Sequence, residues 1–512
     1  MTSLINAAAL NPALDWSLTA LFIVFTIAVI AFTVWLLIRN INNDKNTLVA
    51  GGKINAGTAL LVIILMGVLV RIALAFISAG NRSELQIMID AAEEWSKRGA
   101  SEYIRRHYSD LTNSATGRFL YPLAYYYVGL TAGSLISAGL ESSSVAISMV
   151  LKLPLIISDA VLALVIYKIG RKYRNEQIAL IMAAFVCFCP LFIFASAVWT
   201  SVFSVLSCLL VISFYALVEK KHVLSIAVYS VSMLVAKEAS YLFPIYLVYY
   251  AYTWFKAISA KDTKTTVLLP LTTLVCVAVQ YLISLPLTVQ KYSGEFFQTI
   301  NVILLYPLTQ LNRFSDNALS IYNVFMKGGS LTNVLFRSQQ SFYFIVAFAL
   351  IAAAVTAVVY FGRKNRALLT AVASFVIMLY HVTYFDMTAT SVIPSIALLL
   401  LSFALLKEKR LLKVMFSQTV LTMTLMCLVY ASAGYFNHLP LSEFASTAYE
   451  GHMQLTSTTW GKVCAITLSV LSIGLSAYFT KVIADIALSD IVCPLGGKND
   501  MPFTQSIAYF IK

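Results

Sequence analysis

The chain has 512 residues, of which 60% are hydrophobic and 12% charged, and it carries a net charge of +13. A soluble domain is about 45–50% apolar and about 25% charged, so a soluble globular protein is excluded. The positive charge does not point to nucleic acid. The basic residues fall in short clusters between apolar runs, as cytoplasmic loops facing anionic lipid do.

Apolar runs of roughly 20 residues read as transmembrane helices, because the hydrocarbon core takes about that length of α-helix. Thirteen such runs fit, over 16–38, 58–79, 143–168, 177–197, 200–218, 222–236, 240–256, 266–286, 341–361, 367–383, 388–406, 414–434 and 460–482. The sixth is short. No lysine or arginine precedes Arg39, so the first run reads as a retained helix and not as a cleaved signal. An N-terminus outside places the dense clusters Arg171-Lys172-Tyr173-Arg174 and Lys407-Glu408-Lys409-Arg410 in the cytoplasm. Thirteen crossings then put the C-terminus there as well. The expected class is an all-α polytopic membrane protein. An extra N-terminal helix and cytoplasmic loop occupy 1–57, the main transmembrane domain 58–482, and a cytoplasmic tail 483–512.

Two outside loops are long, 80–142 and about 287–340. The first holds a polar island over 81–118 and two amphipathic pieces, 83–98 and 119–138, that suit interfacial helices. The seven cysteines have no zinc-ligand spacing and read as free thiols packed as small apolar residues.

Candidate chemistry begins in that island. Glu84, Ile87, Met88 and Ala91 share a helical stripe, and Asp90 lies on a different face. A carboxylate at the water–membrane boundary is partly desolvated, which raises its basicity towards that of a general base. The alternative is a solvated surface charge. Arg105, Arg106 and Arg118 follow, and arginine is a natural donor to phosphate. Lys152 and Asp159, two turns apart in one apolar run, form either a structural pair or a functional one. Trp199, Lys237, Glu238, His381, Tyr384 and Asp386 lie at outer helix ends. They converge only if the helices pack around one site; singly, Trp199 and Tyr384 suit an interfacial aromatic belt.

These residues, in this order, resemble the GT-C membrane glycosyltransferases. The likeness is to bacterial integral-membrane mannosyltransferase-like proteins and to the catalytic subunit of the first GPI mannosyltransferase. It rests on Ser83-Glu84 with Ile89-Asp90-Ala91-Ala92, on Tyr121-Pro122, and on Lys152-Leu153-Pro154 with Asp159. Pro190 with Ala195-Ser196-Ala197-Val198-Trp199, Lys237-Glu238, Asn317-Ala318-Leu319 and His381-Val382-Thr383-Tyr384 continue it. The chain departs from the family at the catalytic Asp, which is Glu84 here, and at the Asp before Tyr-Pro, which is Leu120. The resemblance implies a polyprenyl-phosphate sugar as donor, a glycan or lipid as acceptor and Glu84 as base. It implies Lys152, Arg105 and Arg118 beside the leaving phosphate, and a bacterial plasma membrane as the location. No Asp-x-Asp occurs, so neither a metal nor another cofactor is expected.

The departures leave two other functions open. One is a catalytically inactive relative serving as an assembly or glycolipid-binding subunit beside a membrane partner. The other is a transporter of lipid-linked saccharide, which would favour paired broken helices with midplane charge.

Overall fold

A computed structural model of the chain describes residues 12–41, 55–78, 82–99, 121–292, 318–321, 324, 366–384, 387–432 and 459–492. Among them the regular structure is helical. In chain order the α-helices are α1 (Pro12–Ile41), α2 (Ala56–Ile77), α3 (Arg82–Arg98), α4 (Pro122–Val128), α5 (Ser134–Ser137), α6 (Val145–Tyr173), α7 (Glu176–Phe188) and α8 (Pro190–Ile193). Then come α9 (Phe203–Val218), α10 (His222–Met233), α11 (Phe243–Ser259), α12 (Thr263–Tyr292), α13 (Leu368–Thr383), α14 (Ile393–Leu406), α15 (Lys409–Ser432) and α16 (Thr459–Val492). Wider π-type turns follow α4 (Gly129–Gly133) and α8 (Phe194–Trp199), and a 3₁₀ turn (Lys237–Leu242) precedes α11.

Six of these helices, α1, α2, α6, α12, α15 and α16, are long and apolar enough to cross a membrane. A seventh crossing results if α7 and α8 with its π turn count as one span bent by 43°. The chain is therefore an α-helical, multi-pass membrane protein. The shorter helices α9, α10, α13 and α14 are also apolar. The 12 residues of α10 rise only about 18 Å, short of the roughly 30 Å of hydrocarbon. The run expected over 341–361 lies outside the described residues.

The core is formed by α6, α7, α9, α13, α14 and α15, with side chains such as Phe185, Phe214, Phe403 and Leu399 fully buried. Large apolar side chains on α2, α12 and α16 point outwards instead: Leu65 is 52% exposed and Leu274 68%. Water would penalise that surface and lipid does not. Serine and threonine seam α13 to α14: Ser374 and Ser395 hydroxyls lie 2.8 Å apart, as do those of Thr370 and Ser402. Such bonds between membrane helices contribute about 0.6 kcal/mol each.

The single span expected over 177–197 is broken. Pro190 has no N–H to donate and disfavours helical backbone at Cys189, which is extended at φ −64°, ψ 121°. The next helix starts at Phe203, three residues after the expected boundary. Thr200 takes the left-handed conformation at φ 68° and turns the chain there.

The two amphipathic pieces of the first long loop pack on one another. Leu85, Met88, Ile89 and Ala92 of α3 bury against Tyr125, Val128, Ala132 and Leu151. Trp95 lies flat on the turn after α4, where a Cβ at Gly129 would stand 2.1 Å from its ring. Only glycine fits there. Pro154 inside α6 deprives the Val150 carbonyl of its helical donor. The Tyr127 hydroxyl supplies one at 2.6 Å and so fastens α4 to α6.

Charged side chains gather at the end of the bundle remote from α3. Lys172 donates to Glu219 at 2.5 Å, and the Tyr173 hydroxyl donates to the same carboxylate. Arg174 lies 4.6 Å from the Phe403 ring and donates to the Phe403 carbonyl. Arg410 joins Glu408 and Asp485.

Candidate functional site

Glu84 sits in the first turn of α3, half-buried at the margin of its apolar face. Met88 and Ala91 of the expected stripe are buried together with Leu85, Ile89 and Ala92, while Glu84 and Ile87 are half-buried, which leaves Glu84 at the seam with the next elements. The Trp199 indole Nε1 donates to Glu84 Oε1 at 3.1 Å. The Thr390 hydroxyl lies 3.5 Å from the same oxygen. Three stretches distant in sequence thus meet on one carboxylate. Asp90, six residues on, is half-buried on the same helix. Burial pushes the carboxyl of Glu93 up, but hydrogen bonds from Ser142 and Lys97 outweigh it and hold Glu93 below the usual carboxylate range.

Trp199 is 3% exposed and ends the π turn after α8. It is therefore not a lipid-facing belt aromatic. Its position depends on Arg71, the largest fully buried side chain among the described residues. Arg71 Nε donates to Asp159 Oδ2 at 2.9 Å and reaches Ser196 Oγ at 3.3 Å. Its two terminal nitrogens donate to the carbonyls of Gly67 at 3.1 Å, Cys187 at 2.6 Å and Val186 at 3.0 Å. The guanidinium thus caps the C-terminal carbonyls of α7 at the break and satisfies them where no water can.

Asp159 pairs with Arg71, not with Lys152. Lys152 is fully buried, and its ammonium caps the C-terminal end of α2, donating to the carbonyls of Ala75 at 3.1 Å and Ser78 at 2.6 Å. The Ser78 hydroxyl donates to the Val198 carbonyl at 3.1 Å, beside Trp199. The spacing of seven residues puts Lys152 and Asp159 on one side of α6, where both meet α2, Asp159 at Arg71 and Lys152 at the carbonyls of its C-terminal end.

His381 is buried at the end of α13. Its Nε2 accepts the backbone N–H of Leu319 at 3.3 Å, so Nδ1 carries the proton and donates to the Ser391 hydroxyl at 2.7 Å. Ser391 in turn donates to the Thr388 carbonyl at 2.9 Å, and the Thr388 and Thr390 hydroxyls are 3.1 Å apart. A neutral histidine so bound fixes the turn that carries Thr390 to Glu84. It also holds the 318–320 segment, so two stretches far apart in sequence touch directly.

A tyrosine cluster lies next to it. Tyr241 stacks on Tyr380 with ring centres 4.2 Å apart and meets Tyr384 edge-on at 5.7 Å. Glu238 and Tyr121 lie within electrostatic reach of Tyr241. Tyr121 caps α4, and the Leu123 N–H donates to the Leu234 carbonyl at 3.2 Å, joining α4 to the end of α10. Lys237 is half-buried beside Glu238.

The structure therefore gathers Glu84, Trp199, His381, Tyr384, Tyr121, Lys237 and Glu238 at one end of the bundle, with Lys152 and Asp159 just beneath. Arg105, Arg106, Arg118 and Asp386 lie outside the described residues. Sequence reading missed Arg71, Thr390 and Ser391. Arg71 had a signal, because one arginine inside a long apolar helix must be paired. Thr390 and Ser391 had none, since a hydroxyl in a turn is unremarkable until its neighbours are known. Among the described residues no group of three or more His, Cys, Asp or Glu is placed to hold a metal ion. Neither a protein-family model nor a curated protein matches the chain.

Proposed function

We propose that this chain is a membrane glycosyltransferase of the GT-C type. It transfers a sugar from a polyprenyl-phosphate donor to a cell-envelope glycan or lipid, at the outer face of a bacterial plasma membrane. The observation that carries this reading is the half-buried Glu84 carboxylate, held at the junction of α3, the Trp199 turn and the Thr390 turn. The Glu84 carboxylate takes the proton of the acceptor hydroxyl. The acceptor oxygen bonds to the anomeric carbon. The bond from that carbon to the phosphate oxygen breaks, and its electron pair leaves with the lipid phosphate. The phenols of Tyr121, Tyr241 and Tyr384 offer an amphipathic wall suited to a sugar ring. Lys152 is engaged with backbone carbonyls, and Arg105, Arg106, Arg118 and Lys237 are the cations that offset the charge of the leaving phosphate in this reading. Thirteen crossings, an outside N-terminus and a cytoplasmic C-terminus belong to the same proposal.

The test is transfer of labelled sugar from a panel of polyprenyl-phosphate sugars by purified protein in membranes, beside Glu84→Gln. Loss of a general base removes about 10²–10⁴ in rate, with donor binding retained. Transfer that survives the substitution moves the base elsewhere, first to Asp90. Saturable donor binding with no transfer by the wild type makes the chain a glycolipid-binding subunit.

A further inference from the structure

At the end of the bundle remote from Glu84, α10 begins without a side-chain cap: Lys221 stands in the capping position and makes no capping bond. The first N–H groups of a helix have no internal acceptor and carry the positive end of its dipole. Cations surround this one. Lys220 and Lys221 precede it. The charges of Arg366 and Lys220 act on His222 in the first turn, and that of Arg366 acts also on the Tyr249 hydroxyl. Among the described residues, none of these three cations forms an ion pair. The carboxylate beside them, Glu219, is bound by Lys172 and by the Tyr173 hydroxyl.

Buried polar atoms face this basic turn. Tyr249 is 4% exposed, and its hydroxyl has no hydrogen-bond partner. Thr253, one turn on, donates its own proton to the Tyr249 carbonyl at 2.8 Å. His222 Nδ1 is likewise buried and unbonded. The imidazole is fixed between two phenol rings, with centres 6.2 Å from Tyr249 and 5.7 Å from Tyr250. A buried hydroxyl and a buried ring nitrogen left unbonded mark the place of a ligand's polar atoms. An imidazole, a phenol, a guanidinium and a helix N-terminus together present donors from several sides. That arrangement suits the many oxygens of a tetrahedral oxyanion.

We propose that His222, Tyr249 and Arg366, with the N-terminus of α10, form a binding site for a phosphate group, carried by a lipid headgroup or by a free phosphate compound. The site does not depend on the glycosyltransferase reading, which concerns the opposite end of the bundle.

The test titrates purified full-length protein in neutral detergent with short-chain phosphatidylglycerol and, separately, with inorganic phosphate. Thermal unfolding and native mass spectrometry read the binding. Saturable binding that raises Tm is expected. Tyr249→Phe keeps the ring and loses only the hydroxyl, and it weakens binding about tenfold. Arg366→Gln weakens it at least as much. A response to the lipid alone assigns a headgroup, and a response to inorganic phosphate assigns a free phosphate compound. No saturable binding of either probe to the wild type overturns the site, as does undiminished binding in Tyr249→Phe. Should Arg366→Gln fail to fold, Tyr249→Phe decides alone.

Discussion

Glu84 and Trp199 are separated by 115 positions and joined by one hydrogen bond of 3.1 Å. The indole can only donate, so the oxygen it faces is held as an acceptor. Under the proposed function, Trp199→Phe tests that bond alone, because the phenyl ring keeps much of the packing. A hydrogen bond to a charged group is worth about 1.5–3 kcal/mol, which predicts a fall in kcat of about 10–100-fold. Steady-state kinetics beside a melting curve check it, and a kcat unchanged from wild type would remove Trp199 from the site. The residue scale also shows what a linear sequence conveys. Glu84, Tyr121, Lys237, Glu238, His381 and Tyr384 were legible as polar or aromatic groups at helix ends. Their partners were not, because Thr390 and Ser391 gain meaning only from the tertiary bonds they make.

At the scale of elements, the instructive case is the pair α7 and α8. Pro190 announces the break in sequence, yet nothing there says what satisfies the carbonyls that the break exposes. Arg71 does so from α2, and Asp159 balances its charge from α6. Within the described residues, hydropathy carried the apolar helices and their approximate limits, the broken run over 177–197 excepted. On α3 the expected stripe buries Met88 and Ala91, and Leu85, Ile89 and Ala92 widen the buried face beyond what the spacing showed. Removing one partner of a buried pair costs about 3–5 kcal/mol, because the other charge is left unmatched. Arg71→Leu is expected to destabilise by that amount in detergent unfolding, and Arg71→Leu with Asp159→Leu by less. Equal losses in the single and the double variant would mean that the pair carries no coupling.

Across the whole molecule the ends of the bundle differ in character. One end carries Glu84 with the buried tyrosines, and the other carries Lys172, Arg174, Lys220, Lys221, Arg366 and Arg410. Excess lysine and arginine mark the cytoplasmic side. A membrane-impermeant maleimide, applied to intact cells expressing a cysteine-free background, is expected to label Lys97→Cys and to spare Lys261→Cys until the membrane is opened. Both positions are exposed. The reverse pattern would place Glu84 in the cytoplasm and remove the outer-face site. Charge clustering made this asymmetry legible in the sequence. Which of the shorter helices cross fully was not legible, because burial among neighbours relieves them of the length that lipid demands.

The Arg71 joint has a mechanical meaning as well. One guanidinium grips α2, α6 and α7 at a single point, so those helices cannot slide along one another without losing several bonds at once. They form a stiff block. Any opening that admits a bulky lipid-borne molecule must then take its motion from the block's edges. One such edge is the seam between Glu84 and the Thr390 hydroxyl, where the contact is long at 3.5 Å.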